Sequence, residues 1–548
     1  MRLNRKLIVV LTLLLPVSVM AQKTGNDDEL NAEIAVVKPY NPSISDAFKI
    51  NKQPAGADST SDKLNVDYGI TTSPLQISFV LSPIKAPTIK RTPVDKLYKN
   101  NVRLGLGNSS TFLGEVMLNS ERSRNGAYGV HLYHLSSKAN VPNIEDSGYS
   151  TNGLSLYGKK FFARYALGGN LSLGRDVVRY FGSGPEFANA TIEKQQLMSF
   201  QGSTSLQANK AKDQVFFDKA ELTYAYLKDD FKMSEQRVKG LFEVSKNSKD
   251  GLVLGQLESN FLQTNQDGAS QQFFTGELGM KVDAHKEKFN YSFGVKAALI
   301  MDLSASQTST FFYPDINVSY NLLQDYIIAY AGVNGGLQES GMKVLASENP
   351  FLNTMDSVEY TNEQISILGG LKGRISTGSS YHLGAKYSKV QNHAFFALPN
   401  AVTPVDSTTR KFNVIYDDVN RFQFFAELGI DLSKKLFVNG RMDVIAYTMD
   451  NLLKAYYQPN FKTNLMARYN VQEKIYFNTE WYYVGARYFN ATTKLDGFID
   501  GNLGLEYRYS NNLTAFINAN NLLGNNYNLW EGYQSQAFNV LGGFTYKF

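Results

Sequence analysis

The stretch Phe289-Asn290-Tyr291-Ser292-Phe293-Gly294-Val295-Lys296-Ala297-Ala298-Leu299 alternates strictly. Phe289, Tyr291, Phe293, Val295, Ala297 and Leu299 fall on one face of an extended chain, and Asn290, Ser292, Gly294, Lys296 and Ala298 on the other. Phe422 to Leu432 repeats the pattern, with Phe422, Phe424, Ala426, Leu428, Ile430 and Leu432 against Gln423, Phe425, Glu427, Gly429 and Asp431. A strand of a soluble sandwich runs about 5 to 6 residues. These alternations are about twice that long and carry charge on the face opposite the apolar one, which is what a strand crossing hydrocarbon in about 9 to 11 residues requires. The pattern predicts a transmembrane antiparallel β-barrel with Phe293, Val295, Phe424 and Leu428 toward lipid and Lys296 and Glu427 toward the lumen.

Between such strands lie ten short polar breaks: Glu121 to Asn125, Lys159-Lys160, Asn209 to Asp213, Lys246 to Asp250, His285 to Lys288, Leu323 to Asp325, Ser376 to Ser379, Ser433 to Lys435, Val471 to Lys474 and Ser510 to Asn512. Longer, less regular connections separate them, notably Gln338 to Glu359, His393 to Arg410 and Leu522 to Ser535. Barrels of this kind put short turns on the periplasmic side and long loops outside. A chain that starts near Asn100 and ends at Phe548 on the periplasmic side, with ten inner turns, has 22 strands.

The residues before the barrel differ. Met1 to Lys6 is basic, Leu7 to Leu15 is apolar, and Val19-Met20-Ala21 is a small-residue cleavage pattern, so residues 1–21 read as a secretory signal peptide. Residues 22–98 hold seven prolines, as many as the whole of 99–548, and read as an extended periplasmic arm with room for one short hairpin at Leu64 to Ile70 and Gln76 to Val80. Lys85, Lys90, Arg91, Lys96 and Lys99 cluster at its end and suit inner-leaflet headgroups or a solvated linker.

Composition narrows the chemistry. The 548 residues include no Cys, which excludes disulfides, thiolate metal sites and a thiol nucleophile. The net charge of +5, three of whose cations lie in the leader, offers no basic surface for nucleic acid. Among the five His, His131 and His134 lie at odd spacing on opposite strand faces, His285 falls in a turn, and none has a nucleophile and carboxylate at a recognisable spacing. Asp229-Asp230 and Asp417-Asp418 read as solvated loop charge. No cofactor, metal site or catalytic residue is expected. Of the adjacent Trp481, Tyr482 and Tyr483, at least one must face the lumen.

The final strand alternates to its last residue, with Phe538, Val540, Gly542, Phe544, Tyr546 and Phe548 on one face. A terminal Phe preceded by aromatics at alternate positions resembles the signal read by the outer-membrane barrel assembly machinery, carried here by Phe544, Tyr546 and Phe548. Upstream, Leu513 to Tyr527, with Asn521-Leu522-Leu523-Gly524-Asn525-Asn526-Tyr527, resembles the penultimate strand and following hook of TonB-dependent receptors. The resemblance implies a 22-stranded barrel, a cell outer-membrane location and nutrient or solute transport. That family carries a plug of well over a hundred residues, for which 22–98 is too short. Val37 to Ile50, with Ser82 to Pro87, resembles a plug-free receptor-like group of Bacteroidetes, and Glu33 to Val37 resembles the box offered to TonB. Apolar Val37, Tyr40, Ile44, Phe48 and Ile50 have no core of their own and are the candidate contacts for a periplasmic or outer-membrane protein partner. The alternative function is a non-transporting barrel subunit of an assembly or secretion complex, docked through this arm. The lumen of so wide a barrel is expected to be obstructed, by the arm, by inward loops such as Gln338 to Glu359 and His393 to Arg410, or by a partner.

If the terminal aromatic row is an assembly signal, removing Phe548 lowers the amount of heat-modifiable, folded barrel in outer-membrane fractions, and unchanged assembly refutes the reading.

Overall fold

A computed structural model describes residues 98–548 apart from 122, 140, 142–143, 145, 183–191, 210–216, 250, 355–356 and 399–410. The leader, nearly all of the arm and its candidate contacts Val37, Tyr40, Ile44, Phe48 and Ile50 lie outside the described residues.

The described chain forms one 22-stranded antiparallel sheet from Asn100–Gly107 to Asn539–Lys547, in which strands adjacent along the chain pair with each other. It closes because the first strand also pairs with the last, from Asn101 opposite Lys547 to Gly107 opposite Leu541. Beyond that ladder Asn100 and Phe548 exchange backbone hydrogen bonds of 3.0 and 3.1 Å. Closure at this seam depends on close approach. A Cβ at Gly543 would lie 2.0 Å from the Leu104 carbonyl oxygen. The Phe516 ring fills the space over Gly105 and Gly543, and the Arg103 guanidinium sits 4.2 Å from its centroid.

The start of the first strand, the end of the last and ten connections, the longest 209–216, lie at one end of the barrel. Eleven connections lie at the other, among them 138–148, 181–192, 338–361, 398–412, 450–460, 485–497 and 521–538. The ten expected breaks are therefore the ten turns of one end, with one displaced. Strand Tyr149–Phe161 runs through Lys159 and Lys160, and the turn is 162–164. Lys159 instead lies 5.7 Å from the Phe161 ring centroid, so the charged pair marks the strand's emergence from hydrocarbon rather than its end. Likewise His285 is the penultimate residue of strand Ala269–Lys286, and His393 lies within Ser379–Ala397, which makes that outer loop shorter than expected.

The outward face is apolar and exposed all round: Phe293 51%, Val295 67%, Leu428 42%, Phe544 61% and Tyr546 49%. Phe424 and Phe548 belong to the same face. A continuous exposed apolar belt on a closed sheet is stable only in a bilayer, and a barrel of this size with short turns at one end and long loops at the other is an outer-membrane protein. Among the described residues the one α-helix is Met342–Glu348, in an outer connection.

Val295 stands near mid-strand on the lipid face. Val295→Arg is expected to destabilise the barrel by about 2–4 kcal/mol, and Ser203→Arg on the inward face by less than about 1 kcal/mol, measured by denaturant unfolding from lipid vesicles. Equal effects would reverse the assigned faces.

Candidate functional site

Inward-facing charges of the wall are paired across neighbouring strands. Lys239 meets Glu258 at 2.8 Å, Lys296 meets Glu277 at 3.7 Å, and Lys386 meets Glu363 at 2.8 Å. Arg441 holds Glu427 of the neighbouring strand at 3.4 Å and also Asp443, two residues on in its own strand, at 2.9 Å. The same wall carries an aromatic cluster. His382 Nε2 lies 2.8 Å from the Tyr330 hydroxyl, its ring stands edge-on to Phe425 at 4.9 Å, and Arg441 lies 5.0 Å from the Phe425 centroid. His131 faces inward on Glu115 at 2.9 Å, whereas His134 packs against the outward Phe112, as their odd spacing requires. Of the three adjacent aromatics, Tyr482 is the lumenal one: it and Tyr527 both bond the Asp500 carboxylate, at 3.1 and 2.9 Å.

The outer mouth is crossed by segment 338–361. It leaves the wall after strand Ile327–Leu337, the thirteenth, and re-enters as Asn362–Ser376, the fourteenth. Gly341, at φ +136°, turns it inward where a Cβ would run into Glu235 and Arg237. The short helix Met342–Glu348 then follows. The Met342 N–H donates to the Glu235 carboxylate at 2.5 Å, and Arg237 donates to Glu339 and to the Ser340 carbonyl. Farther on, the Tyr180 hydroxyl, at the end of the fifth strand, donates to the Leu352 carbonyl at 3.0 Å. Next to it the Asn353 N–H donates to the Phe412 carbonyl at 2.6 Å, just before the sixteenth strand, Asn413–Ser433. Strands five and sixteen are eleven apart in a ring of 22, so Leu352-Asn353 bridges opposite sides of the barrel. The segment returns along Gln271, which exchanges bonds of 3.0 and 2.9 Å with the Val358 backbone.

Other outer connections pack on this strut. Phe351 stacks on Tyr533 with centroids 3.7 Å apart, and Tyr533 also meets Phe181 at 4.8 Å. Trp530 meets Tyr457 at 4.8 Å, Phe396 at 5.3 Å and Phe412 at 5.6 Å. Met342, Leu352, Val358 and Phe412 are fully or almost fully buried, and they belong to one apolar core drawn from these connections. Each such side chain contributes about 1.5–3 kcal/mol relative to exposure. Burial pushes the Glu348 carboxyl above its ordinary value, and burial with the nearby Asp418 does the same to Glu359. It raises the Tyr360 hydroxyl to about 12.

Within the acidic pairs Asp417 and Asp229 are held by hydrogen bonds rather than solvated, while Asp230 is exposed as expected. Asp417 is buried and accepts from the Asn451 side chain at 2.9 Å and the Leu452 N–H at 2.7 Å, pinning connection 450–460. Asp229 accepts from Gln195 at 3.0 Å and the Met233 N–H at 2.7 Å, and also bonds Thr354 of the strut. Their place at strand ends gives each a ring of backbone donors, which a dipeptide reading does not reveal. Glu235 and Arg237 also escaped the sequence reading. Their signal is alternate charges at an outer strand end, too common a pattern to single out. Phe544, Tyr546 and Phe548 share the outward row, with the last two rings stacked at 5.8 Å. Among the described residues no group of three or more His, Asp or Glu is placed to hold a metal ion.

Arg237→Ala leaves Glu235 buried without its cation, and is expected to weaken docking of 338–361 by about 3–5 kcal/mol. Hydrogen exchange should then rise across 338–361 with the barrel strands unchanged; undiminished protection there would refute the anchoring role.

No protein-family model and no curated relative matches the chain. Among solved structures, the FrpB iron transporter from Neisseria meningitidis (F3-3 variant) superposes with a TM-score of 0.66 at 8% identity, covering 83% of this chain and 82% of its own. The siderophore receptor PiuA from Acinetobacter baumannii gives 0.61 at 10% identity over 83% and 82%, and the copper transporter OprC 0.63 at 12% over 82% and 80%. At these identities the likeness is one of fold. It is the fold that the TonB-dependent receptor resemblance implies, and these neighbours are transporters and a receptor rather than enzymes.

Proposed function

We propose that this chain is a gated outer-membrane transport barrel for nutrients or other solutes, closed at its outer mouth by its own loops. The observation that carries the reading is the strut 338–361, tied at Leu352-Asn353 to opposite sides of a bore lined by paired charges and aromatics. A wide polar lumen suits passage of a solute, and a barrier of loops fixed by hydrogen bonds and aromatic packing suits controlled passage. The transport proteins of like fold support the same class. In this reading the loop layer does the closing that a plug does in TonB-dependent receptors, and the chain is of the plug-free kind that the Bacteroidetes resemblance implies. The arm, residues 22–98, couples the barrel to a periplasmic protein through Val37, Tyr40, Ile44, Phe48 and Ile50.

A second reading is favoured by the depth of the loop core: a layer so fully packed also suits a permanently shut barrel serving as a subunit of an outer-membrane complex. Planar-bilayer recording separates the two. The intact protein is expected to show no steady wide-pore current, and deletion of residues 342–353 to open one. If the deletion variant assembles and stays shut, the gated conduit fails. If the intact protein conducts freely, a simple porin replaces both readings. Deleting 22–98 should leave the barrel assembled but uncoupled from uptake.

A further inference from the structure

Outside the aromatic core, connections 450–460 and 485–497 leave between them a cleft of about 630 Å³, lined among others by Thr448, Leu453, Lys454, Ala486, Tyr488 and Lys494. Its position relative to the membrane follows from strand Leu436–Met449. Met442 and Val444 are exposed members of the outward, lipid-facing row, and Thr448 continues that row two steps beyond Ala446. Tyr447 and Met449 of the inward row line it as well, so the cleft sits in the rim of the wall above the apolar belt, and the exposed Thr448, Leu453, Lys454 and Lys494 put its mouth on the outer side, toward the level of outer-leaflet headgroups.

Two ammonium groups converge there. Lys454 Nζ lies 5.0 Å and Lys494 Nζ 4.6 Å from the centroid of one ring, Tyr488. Among the described residues neither has a carboxylate oxygen within 4.0 Å, although Asp450 and Asp496 are close in the chain. Lys239, Lys296 and Lys386 of the wall, by contrast, are each neutralised by a carboxylate. Two like charges held against one ring repel each other, and an anion between them relieves that repulsion. Beside them Leu453 is 75% exposed, an apolar side chain pointing away from the loop core at the edge of the bilayer. Cations above and an exposed leucine beside them complement an amphiphile with an anionic head and apolar chains.

We propose that this cleft binds a phosphate of an outer-leaflet glycolipid, with Lys454 and Lys494 donating to the phosphate oxygens, Tyr488 supporting both ammonium groups, and Leu453 meeting the first methylenes of the acyl chains. The site is independent of whether the barrel conducts.

Native mass spectrometry of the detergent-solubilised full chain, titrated with bisphosphorylated lipid A and with the same lipid stripped of phosphate, tests it. The phosphorylated lipid should be retained and the stripped one lost. The double variant K454Q/K494Q should weaken retention about tenfold or more, while K434Q/K435Q in a turn at the opposite end should change nothing. Heat-modifiable mobility establishes that each variant is folded, and L453A gives a milder probe of the apolar contact. Equal retention of the stripped lipid, or by the double variant, overturns the proposal. Displacement of the lipid by millimolar inorganic phosphate also overturns it, since a soluble anion would then be the ligand.

Discussion

A sheet in hydrocarbon cannot leave a row of backbone N–H and C=O groups unpaired, because nothing in the bilayer core replaces the missing partners. Here that constraint is met by the ladder from Asn101–Lys547 to Gly107–Leu541. With the ends joined, the strand number is even, both ends of the barrel segment lie on one side, and each residue is committed to lipid or lumen by its parity. The seam is also a place of very close backbone approach. That explains why Gly105 and Gly543 face each other there under the Phe516 ring.

Closing 22 strands makes a bore that side chains alone cannot fill, so the wall becomes a polar inner surface needing its own electrostatic order. The cross-strand pairs supply it. Arg441 stands directly opposite Glu427 on the adjacent strand and two residues before Asp443 on its own, and Lys296 is the diagonal neighbour of Glu277, so neutralisation is local and follows the pleat. Closure across the bore cannot be local in this sense. It needs a segment long enough to reach the far wall, and 338–361 is the longest connection that the described strands bound.

This division also decides what could be read from the sequence. Strand parity is a property of neighbouring residues, so the faces of Phe293, Val295, Lys296 and Glu427 and the ten turns were legible, and the strand number followed. The error at Lys159-Lys160 came from taking charge as a turn, when a strand that outreaches the hydrocarbon carries charge before it ends. The inward course of Gln338 to Glu359 was suggested by length alone. Its anchors were invisible, since Arg237 and Glu339 are 102 residues apart and Tyr180 and Leu352 are 172 apart. The aromatic core shows no period because its members come from separate loops and outer strand ends and obey no common face.

The anchors and the core contribute differently. A buried ion pair costs desolvation that its attraction only partly offsets, so Glu235 and Arg237 are not the main source of stability in the loop layer. Apolar contacts such as Phe351 on Tyr533 supply more, but such contacts tolerate sliding and repacking. A carboxylate that accepts the Met342 N–H and a guanidinium that reaches the Ser340 carbonyl tolerate one register only. The core thus makes the closed mouth stable, and the charged anchor makes it unique. Any event that opens the barrel must therefore release the anchor, because the core can shift around a docked strut but cannot leave the lumen while that strut is held.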